Sequence, residues 1–284
     1  MNIAVMGATG MLGMAFMRSS DHNYNIIPVS RKDFDFTDTI KLINFLDSEK
    51  PDVVINTAAN INLQDCEDNQ VAASEINVDF VKHLSTWCSK KNSFLIHIST
   101  DHFYDYGGNY PHKECDEVVL LNEYAKQKYS AENFVKKLDN HLIVRTSILG
   151  YRHSGSLTFI EWLLSMIHSK KQIAGFVDAY TSSIDVDSFV KVIFLCIKNG
   201  INGLYNISCS EVYSKYDLIE AVKNALYNVD VNLVRSNVSQ LSPVRASCCG
   251  LDVNKIQNKL KISLPTLNMV VENLFIQENY NEIQ

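Results

Sequence analysis

Asn2-Ile-Ala-Val-Met6-Gly7-Ala8-Thr9-Gly10-Met11-Leu12-Gly13 stands at the start of the chain and points to its architecture. Asn2 to Met6 is a short apolar run of the kind that forms a buried parallel strand, and Met11 to Met17 continues as a proline-free helix. A G-x-x-G-x-x-G spacing alone arises often by chance, so its context carries the weight. Strand, glycine turn and helix start within about fifteen residues make the first unit of a doubly wound α/β sheet, with a pyrophosphate expected over the helix N-terminus. Gly7 is expected to make the turn, Gly10 to let backbone N–H groups approach phosphate, and Gly13 to let helix and strand close up. Thr9, Met11 and Leu12 lie in the same turn. The alternative is a structural strand-to-helix turn without a ligand.

A second strand is expected over Tyr24-Asn-Ile-Ile-Pro-Val29. The residue after it discriminates between nicotinamide cofactors, because an acid grips a free ribose 2′-hydroxyl and a base accommodates a 2′-phosphate. Here Ser30-Arg31-Lys32 follows, which favours NADP(H), with Arg31 better suited than Lys32 to a planar bidentate grip. Asp33 and Asp35 lie close behind and keep NAD(H) open. Pro51 to Ala59 reads as a third strand running out into Thr57, Ala58 and Ala59, small residues that either line a flat cofactor or pack a helix on the sheet. Asn77 lies among apolar neighbours and is either buried with polar partners or exposed on one helical face.

Further on, the strand-like run Phe94-Leu-Ile-His-Ile-Ser-Thr100 precedes Tyr124-x-x-x-Lys128. A hydroxyl, a phenol and an ammonium together can reduce a carbonyl if a hydride donor is bound. Tyr-x-x-x-Lys is also a common helical surface pair, so its meaning comes from the glycine turn upstream.

These segments resemble, in order, the extended short-chain dehydrogenase/reductases, and within them the dTDP-4-dehydrorhamnose reductase branch of sugar-nucleotide enzymes. The resemblance rests on Gly7-x-x-Gly10-x-x-Gly13, Asp35-Phe36-Thr-Asp38, Pro51 to Ala59, Asn77, Ser99-Thr100-Asp101, Tyr110-Pro111 with Glu114 and Asp116, Tyr124-x-x-x-Lys128 and Arg145-Thr-Ser147. Later support comes from Ser182 to Asp187, Pro243-Val-Arg245 and Leu251-Asp252.

The resemblance implies a Rossmann-type doubly wound parallel sheet with a smaller interleaved substrate lobe. It also implies reduction of the 4-keto group of a nucleotide-activated 6-deoxyhexose, in the synthesis of surface polysaccharide precursors. Tyr124 is then the proton donor, Lys128 the cation that lowers its pKa and holds the nicotinamide ribose, and Thr100 the hydrogen-bond partner of the substrate oxygen. Ser99 is expected on the opposite strand face. Asp35, Phe36 and Asn77 join the cofactor set, while Asp101, His102, Phe103 and Arg245 form the substrate set, with Arg245 on the diphosphate and Arg152 and Lys215 as weaker candidates. The chain departs from the branch at His102, where an aromatic residue is usual, and between Asp116 and Tyr124, where a proline is usual. His102 could contact the sugar or stay in its loop. No acidic constellation for magnesium is recognisable, so no metal is expected.

Two other activities stay open. An epimerase of the same superfamily would share these residues, whereas a dehydratase would want an acidic pair after Thr100, where only Asp101 stands. A non-catalytic NADP-binding regulatory subunit would keep the fold without needing the triad.

The domain expectation is residues 1–150 for the cofactor domain, with returning segments near 182–208, and 151–284 mainly for the substrate lobe. Insertions are expected near Leu157 to Phe176 and Ser210 to Pro265, with a returning strand at Gly203 to Ser208. The chain has 284 residues, is 46% hydrophobic and carries a net charge of −6, which gives no reason to expect nucleic-acid binding. Seven cysteines without a C-x-x-C pair suggest neither a disulfide framework nor a zinc site, although Cys248-Cys249 could oxidise in air. No apolar run of about twenty residues offers a membrane span. The expectation is a cytoplasmic enzyme, in which the sequons at Asn206 and Asn237 are accidental, and a homodimer is usual among the enzymes it resembles.

Overall fold

The computed structural model describes residues 1–19, 24–152, 155–226, 229, 231–238 and 243–282, the last five without their side chains. Ser239 of the second sequon lies outside the described residues. In chain order the elements begin β1 (Asn2–Met6), α1 (Met11–Arg18), β2 (Asn25–Val29), α2 (Thr39–Glu49), β3 (Val53–Asn56), α3 (Leu63–Asp68) and α4 (Gln70–Ser74). One π-helical turn (Glu75–Asp79) leads into α5 (Phe80–Lys91), followed by β4 (Phe94–Ile98), α6 (Glu123–Val135), β5 (His141–Arg145), β6 (Ile148–Leu149), α7 (Phe159–His168) and β7 (Ile173–Phe176). Then come β8 (Tyr180–Thr181), β9 (Ile184–Asp185), α8 (Val186–Lys198), β10 (Gly203–Asn206), β11 (Tyr213–Ser214), α9 (Lys215–Ala225), β12 (Leu233–Ser236), β13 (Cys248–Cys249), α10 (Asn254–Leu260) and α11 (Leu267–Glu282).

Two compact units share the chain. The first holds Met1–Thr100, Leu120–Arg145 and Ile197–Tyr205; the second holds Asp101–Val119, Thr146–Cys196 and Asn206–Gln284.

In the first unit six strands form one sheet in the order β10-β5-β4-β3-β1-β2. The pairs β1–β2, β1–β3, β3–β4 and β4–β5 are all parallel. Ile3, Ala4, Val5 and Met6 have no exposed surface, as expected of a central strand covered by helices on both faces. One face is filled by Leu42, Leu46, Leu84, Trp87, Ala131 and Val135 against Ala4, Met6, Val54, Leu95 and Ile143. Pro28 cannot donate to a ladder and is tolerated because β2 is an edge strand. The strand order reverses around β1, so β2 and β3 diverge from its carboxyl end, the place where open α/β sheets bind ligands.

Element ends differ from the sequence expectation by one to three residues. The third strand stops at Asn56, leaving Thr57 to Ala59 outside it, and the fourth stops at Ile98, before Ser99 and Thr100. The returning strand ends at Asn206 rather than Ser208, and the second strand starts at Asn25.

The second unit carries three small sheets, ordered β11-β8-β13, β12-β7 and β6-β9. Its core is built from Leu163, Ile167, Ile173, Leu218, Val222 and Leu274, among others. Helices α7 and α9 start with capping boxes, Thr158 with Glu161 and Ser214 with Asp217, which fixes Lys215 at the first position of α9.

Candidate active site

Each glycine of the opening turn has a distinct steric reason. Gly7 has φ +88°, and a Cβ there would meet the Ala58 nitrogen and Thr57 Oγ1 at 2.9 Å. A Cβ on Gly13 would lie 2.2 Å from the Gly7 carbonyl oxygen and 2.6 Å from Ala8 Cα, so this glycine lets α1 close onto β1. Gly10, the N-cap of α1, has no side-chain cap, and a Cβ on it would touch only the Gly7 oxygen at 3.3 Å. Open N–H groups at a helix start beside a glycine turn suit a phosphate. Thr57 braces the turn from just beyond β3, donating its hydroxyl to the Met6 carbonyl at 2.7 Å. Thr9 is exposed, Met11 half-buried and Leu12 buried.

At the end of β2 the nearest acid is drawn back onto the chain. Asp33 Oδ2 accepts from the Ser30 backbone N–H at 2.8 Å and its hydroxyl at 2.9 Å, while Arg31 and Lys32 are exposed. Asp35 is likewise engaged, accepting the Thr37 N–H and hydroxyl, which hold its carboxyl below the usual value. Arg31 and Lys32 thus stand exposed beside two carboxylates, also exposed, that already accept hydrogen bonds from their own loop. Phe36 is buried, its ring stacked on Phe80 at 4.9 Å, so it shapes the loop from within.

Tyr124 and Lys128 lie one turn apart on a buried face of α6, 8% and 2% exposed, and Thr100 is 4% exposed. Lys128 Nζ donates to the Ile98 carbonyl at 2.7 Å, two residues before Thr100, so the helix pair is anchored at the strand end that carries the threonine. Burial lowers the Lys128 pKa to about 8, with Glu132 opposing the shift. Tyr124 packs with Leu63, Cys66 and Ala73.

The next turn of α6 brings Glu132, which sequence reasoning passed over. It accepts from Arg145 Nε and Nη2 at 3.0 and 2.9 Å, from Ser99 Oγ at 2.7 Å and from Lys136 Nζ at 3.1 Å. Burial raises its pKa, and Arg145 first, with Lys136 and Ser99, outweighs burial and holds the carboxyl below its usual value. Ser99 is therefore turned inward to α6. The four-residue steps from Tyr124 to Lys128 to Glu132 on one helical face were the signal that could have found this pair.

Asn77 is buried and works as a brace. Its Oδ1 accepts the Asn60 N–H at 2.8 Å, and its Nδ2 donates to the Asn60 carbonyl at 2.9 Å and to Gln127 Oε1 at 2.8 Å. It thereby joins the stretch after Thr57 to α6, from a π-helical turn of the kind that often marks functional sites.

In the second unit, Asp101, His102 and Cys249 bring ligand atoms within 4.8 Å of one another. Lys215 and Arg245 act electrostatically on His102, and Asp101 and Cys249 act on Lys215. Burial lowers the pKa of both His102 and Lys215. Arg245 is exposed and Phe103 is fully buried, so Phe103 braces the loop that Asp101 opens. Arg152 donates from Nη1 to Ser156 Oγ at 3.2 Å. Glu114 accepts the backbone N–H of the distant Asn206, and Asp116 that of nearby Lys113. All seven cysteines are free, six of them buried; Cys248 and Cys249 alternate along β13, where successive side chains point to opposite faces. No helix of the described residues is long and apolar enough to cross a membrane.

Comparison with known proteins gives the family of the chain. The family described as RmlD substrate binding domain matches residues 1–279. A dTDP-4-keto-6-deoxy-D-glucose reductase of Streptomyces niveus is 26% identical over 219 residues, 75% of each chain. A dTDP-4-dehydrorhamnose reductase of Escherichia coli is 26% identical over 227 residues, 76% of this chain and 75% of the relative. A dTDP-4-dehydrorhamnose reductase of Bacillus anthracis, solved with NADP, superposes with a TM-score of 0.89 at 22% identity over 97% of this chain and 99% of its own. With a Rossmann-type sheet and a family match over nearly its whole length, the chain belongs to the RmlD substrate-binding-domain family.

Proposed function

We propose that this chain reduces the 4-keto group of a nucleotide-activated 6-deoxyhexose with NADPH, in the synthesis of a surface polysaccharide precursor. The observation that carries the reading is the buried Tyr124–Lys128 pair, anchored through the Ile98 carbonyl to the strand end bearing Thr100. The reductase names of the relatives point the same way.

The glycine turn fits a dinucleotide, since side chains at Gly7 and Gly13 would close it. Gly7 to Gly13 would hold the pyrophosphate, Ser30 and Arg31 the 2′-phosphate, Thr57 to Ala59 the adenosine side, and Tyr124 and Lys128 the nicotinamide ribose. Asp35, Phe36 and Asn77 act behind them, by shaping loops. When bound, NADPH supplies the hydride. Tyr124 gives its phenolic proton to the carbonyl oxygen as that oxygen gains charge, Lys128 lowers the phenol's pKa, and Thr100 donates a hydrogen bond to the same oxygen.

The sugar nucleotide falls to Asp101, His102, Lys215 and Arg245. Two cations beside one carboxylate favour a diphosphate over a divalent metal ion there. The free thiols suit a reducing cytoplasm, and a homodimer is the assembly we expect.

The test mixes the protein with NADPH, or with NADH, and dTDP- or UDP-4-keto-6-deoxyhexose, and follows nicotinamide absorbance, with Tyr124→Phe as control. Sugar-dependent oxidation lost in the variant supports the reductase; cofactor binding without oxidation turns the reading to an epimerase or a regulatory subunit.

A further inference from the structure

Directly behind Lys128 lies a histidine to which the reaction as described assigns nothing. His97, the fourth of the five residues of β4, has no exposed surface; its Nε2 is 3.5 Å from Lys128 Nζ and its Nδ1 is 3.3 Å from Asn56 Nδ2. A neutral imidazole has one donor and one acceptor nitrogen, and its partners decide which is which.

Asn56 decides it here. Its Oδ1 accepts the Ala58 N–H at 3.1 Å, so its amide nitrogen is the end that turns to His97 and donates. His97 Nδ1 is then the acceptor, and the ring proton sits on Nε2, facing Lys128. Burial, and then the Lys128 charge, keep the ring neutral by pulling its pKa well down. Toward an ammonium this N–H is donor against donor; toward a free amine it is a hydrogen bond.

We propose that His97 is a positioning residue for Lys128, locked by Asn56 as the Nε2–H tautomer so that it favours the amine over the ammonium and makes Lys128 ready to release a proton. This rests on the reading of Tyr124 and Lys128 as the proton-handling pair. In the cycle, the proton that Tyr124 gives to the product oxygen is replaced at the expense of the Lys128 ammonium. Lys128 becomes an amine that accepts the His97 N–H, and water returns the proton. The chain of contacts begins at Ala58, in the small-residue stretch after β3, and ends at the lysine. Among the described residues, the charged group that bears on Lys128 is Glu132 from its own helix, matched by Arg145 of β5 and by Lys136.

The test needs no turnover. Long-range ¹H–¹⁵N spectra of the whole protein report the His97 tautomer, and the ¹³Cε shift of Lys128 reports its titration. The wild type is expected to hold a neutral Nε2–H ring over roughly pH 5 to 9. Asn56→Ala is expected to mix the tautomers. His97→Gln, which offers the ammonium an amide oxygen, should raise the Lys128 midpoint from near 8 by about one unit, tenfold in its acid constant, and carry the basic limb of the rate profile with it. An Nδ1–H ring in the wild type, an unchanged tautomer in Asn56→Ala, or an unmoved Lys128 midpoint in His97→Gln overturns the proposal, even if Tyr124→Phe is inactive. A Tyr124→Phe protein that turns over normally sinks the reductase reading instead, while the tautomer and titration stay readable. Asn56→Ala carries the tautomer test should His97→Gln fail to fold.

Discussion

Lys128 Nζ reaches the Ile98 carbonyl at 2.7 Å, so one buried cation ties the helix carrying Tyr124 to the strand that ends beside Thr100. That tie is made by a group whose charge the surroundings resist, since burial brings its pKa from 10.5 down to about 8. Placing the reacting groups this way costs stability that their chemistry requires.

Replacing Lys128 by Met should therefore stabilise the fold at pH 7, by about 1–3 kcal/mol, while lowering turnover about 10²- to 10⁴-fold. The sign follows from proton counting. Between pH 8 and 10.5 the unfolded chain binds more protons at this residue than the folded one, so wild-type stability rises with pH across that window. The gain of Lys128→Met should shrink as the pH climbs through it. Urea unfolding of both proteins at neutral and at alkaline pH measures the difference, and a variant equally destabilised at both would show that the buried cation is not strained.

Gly13 and Gly10 should separate folding from cofactor binding. Gly13→Ala drives a Cβ to 2.2 Å from the Gly7 oxygen, and backbone on both sides of the turn must move, at about 3 kcal/mol. Gly10→Ala meets only that oxygen at 3.3 Å and should keep its stability within about 1 kcal/mol. Its methyl group stands where phosphate would approach, so NADPH affinity should fall by about tenfold or more, roughly 1.4 kcal/mol. Thermal unfolding and a fluorescence titration with NADPH distinguish the two effects.

The reach of sequence reasoning follows the range of the interactions. Gly7, Gly10 and Gly13 were legible because a tight turn constrains the backbone locally, and Tyr124 and Lys128 because helical spacing puts them on one face. His97, Asn56 and Glu132 were not, since each acquires its role from a residue on another element: Lys128 on α6, His97 on β4 and Arg145 on β5. Asn77 stood out as a polar residue in an apolar run, but its partners Asn60 and Gln127 lie 17 and 50 positions away. Strand ends were overextended at Thr57 and Ser99, whose N–H groups still reach the Met6 and Val144 carbonyls while their hydroxyls turn to Met6 and Glu132.

Glu132 and Arg145 should behave as a buried pair that is costly to break. Glu132→Gln leaves the guanidinium without its counter-charge and should cost about 3–5 kcal/mol. A carboxyl held below its usual value contributes stability above the unfolded pKa, and that contribution disappears as the pH falls through the folded value. Wild-type stability should thus decline on acidification below about pH 4.5 more steeply than that of Glu132→Gln. Urea midpoints across the acid range test this; parallel curves would mean that the pair does not set the acid limb.

Cofactor choice should rest on Arg31. With Asp33 bonded back onto Ser30 and Asp35 onto Thr37, both exposed carboxylates after β2 are already engaged by their own loop, and the exposed guanidinium is the group best shaped for a 2′-phosphate. A hydrogen bond to a charged partner contributes about 1.5–3 kcal/mol, so Arg31→Ala should raise the NADPH KM by about 10- to 100-fold. NADH, which lacks that phosphate, should be used as well by the variant as by the wild type. The substitution Asp33→Ser offers the opposite control: it removes the carboxylate that holds Ser30 back, and should leave NADPH preferred while loosening the loop. Kinetics of all three proteins with both cofactors decide the matter, and an equal loss with NADH and NADPH in Arg31→Ala would mean that the arginine supports the loop and does not meet the phosphate.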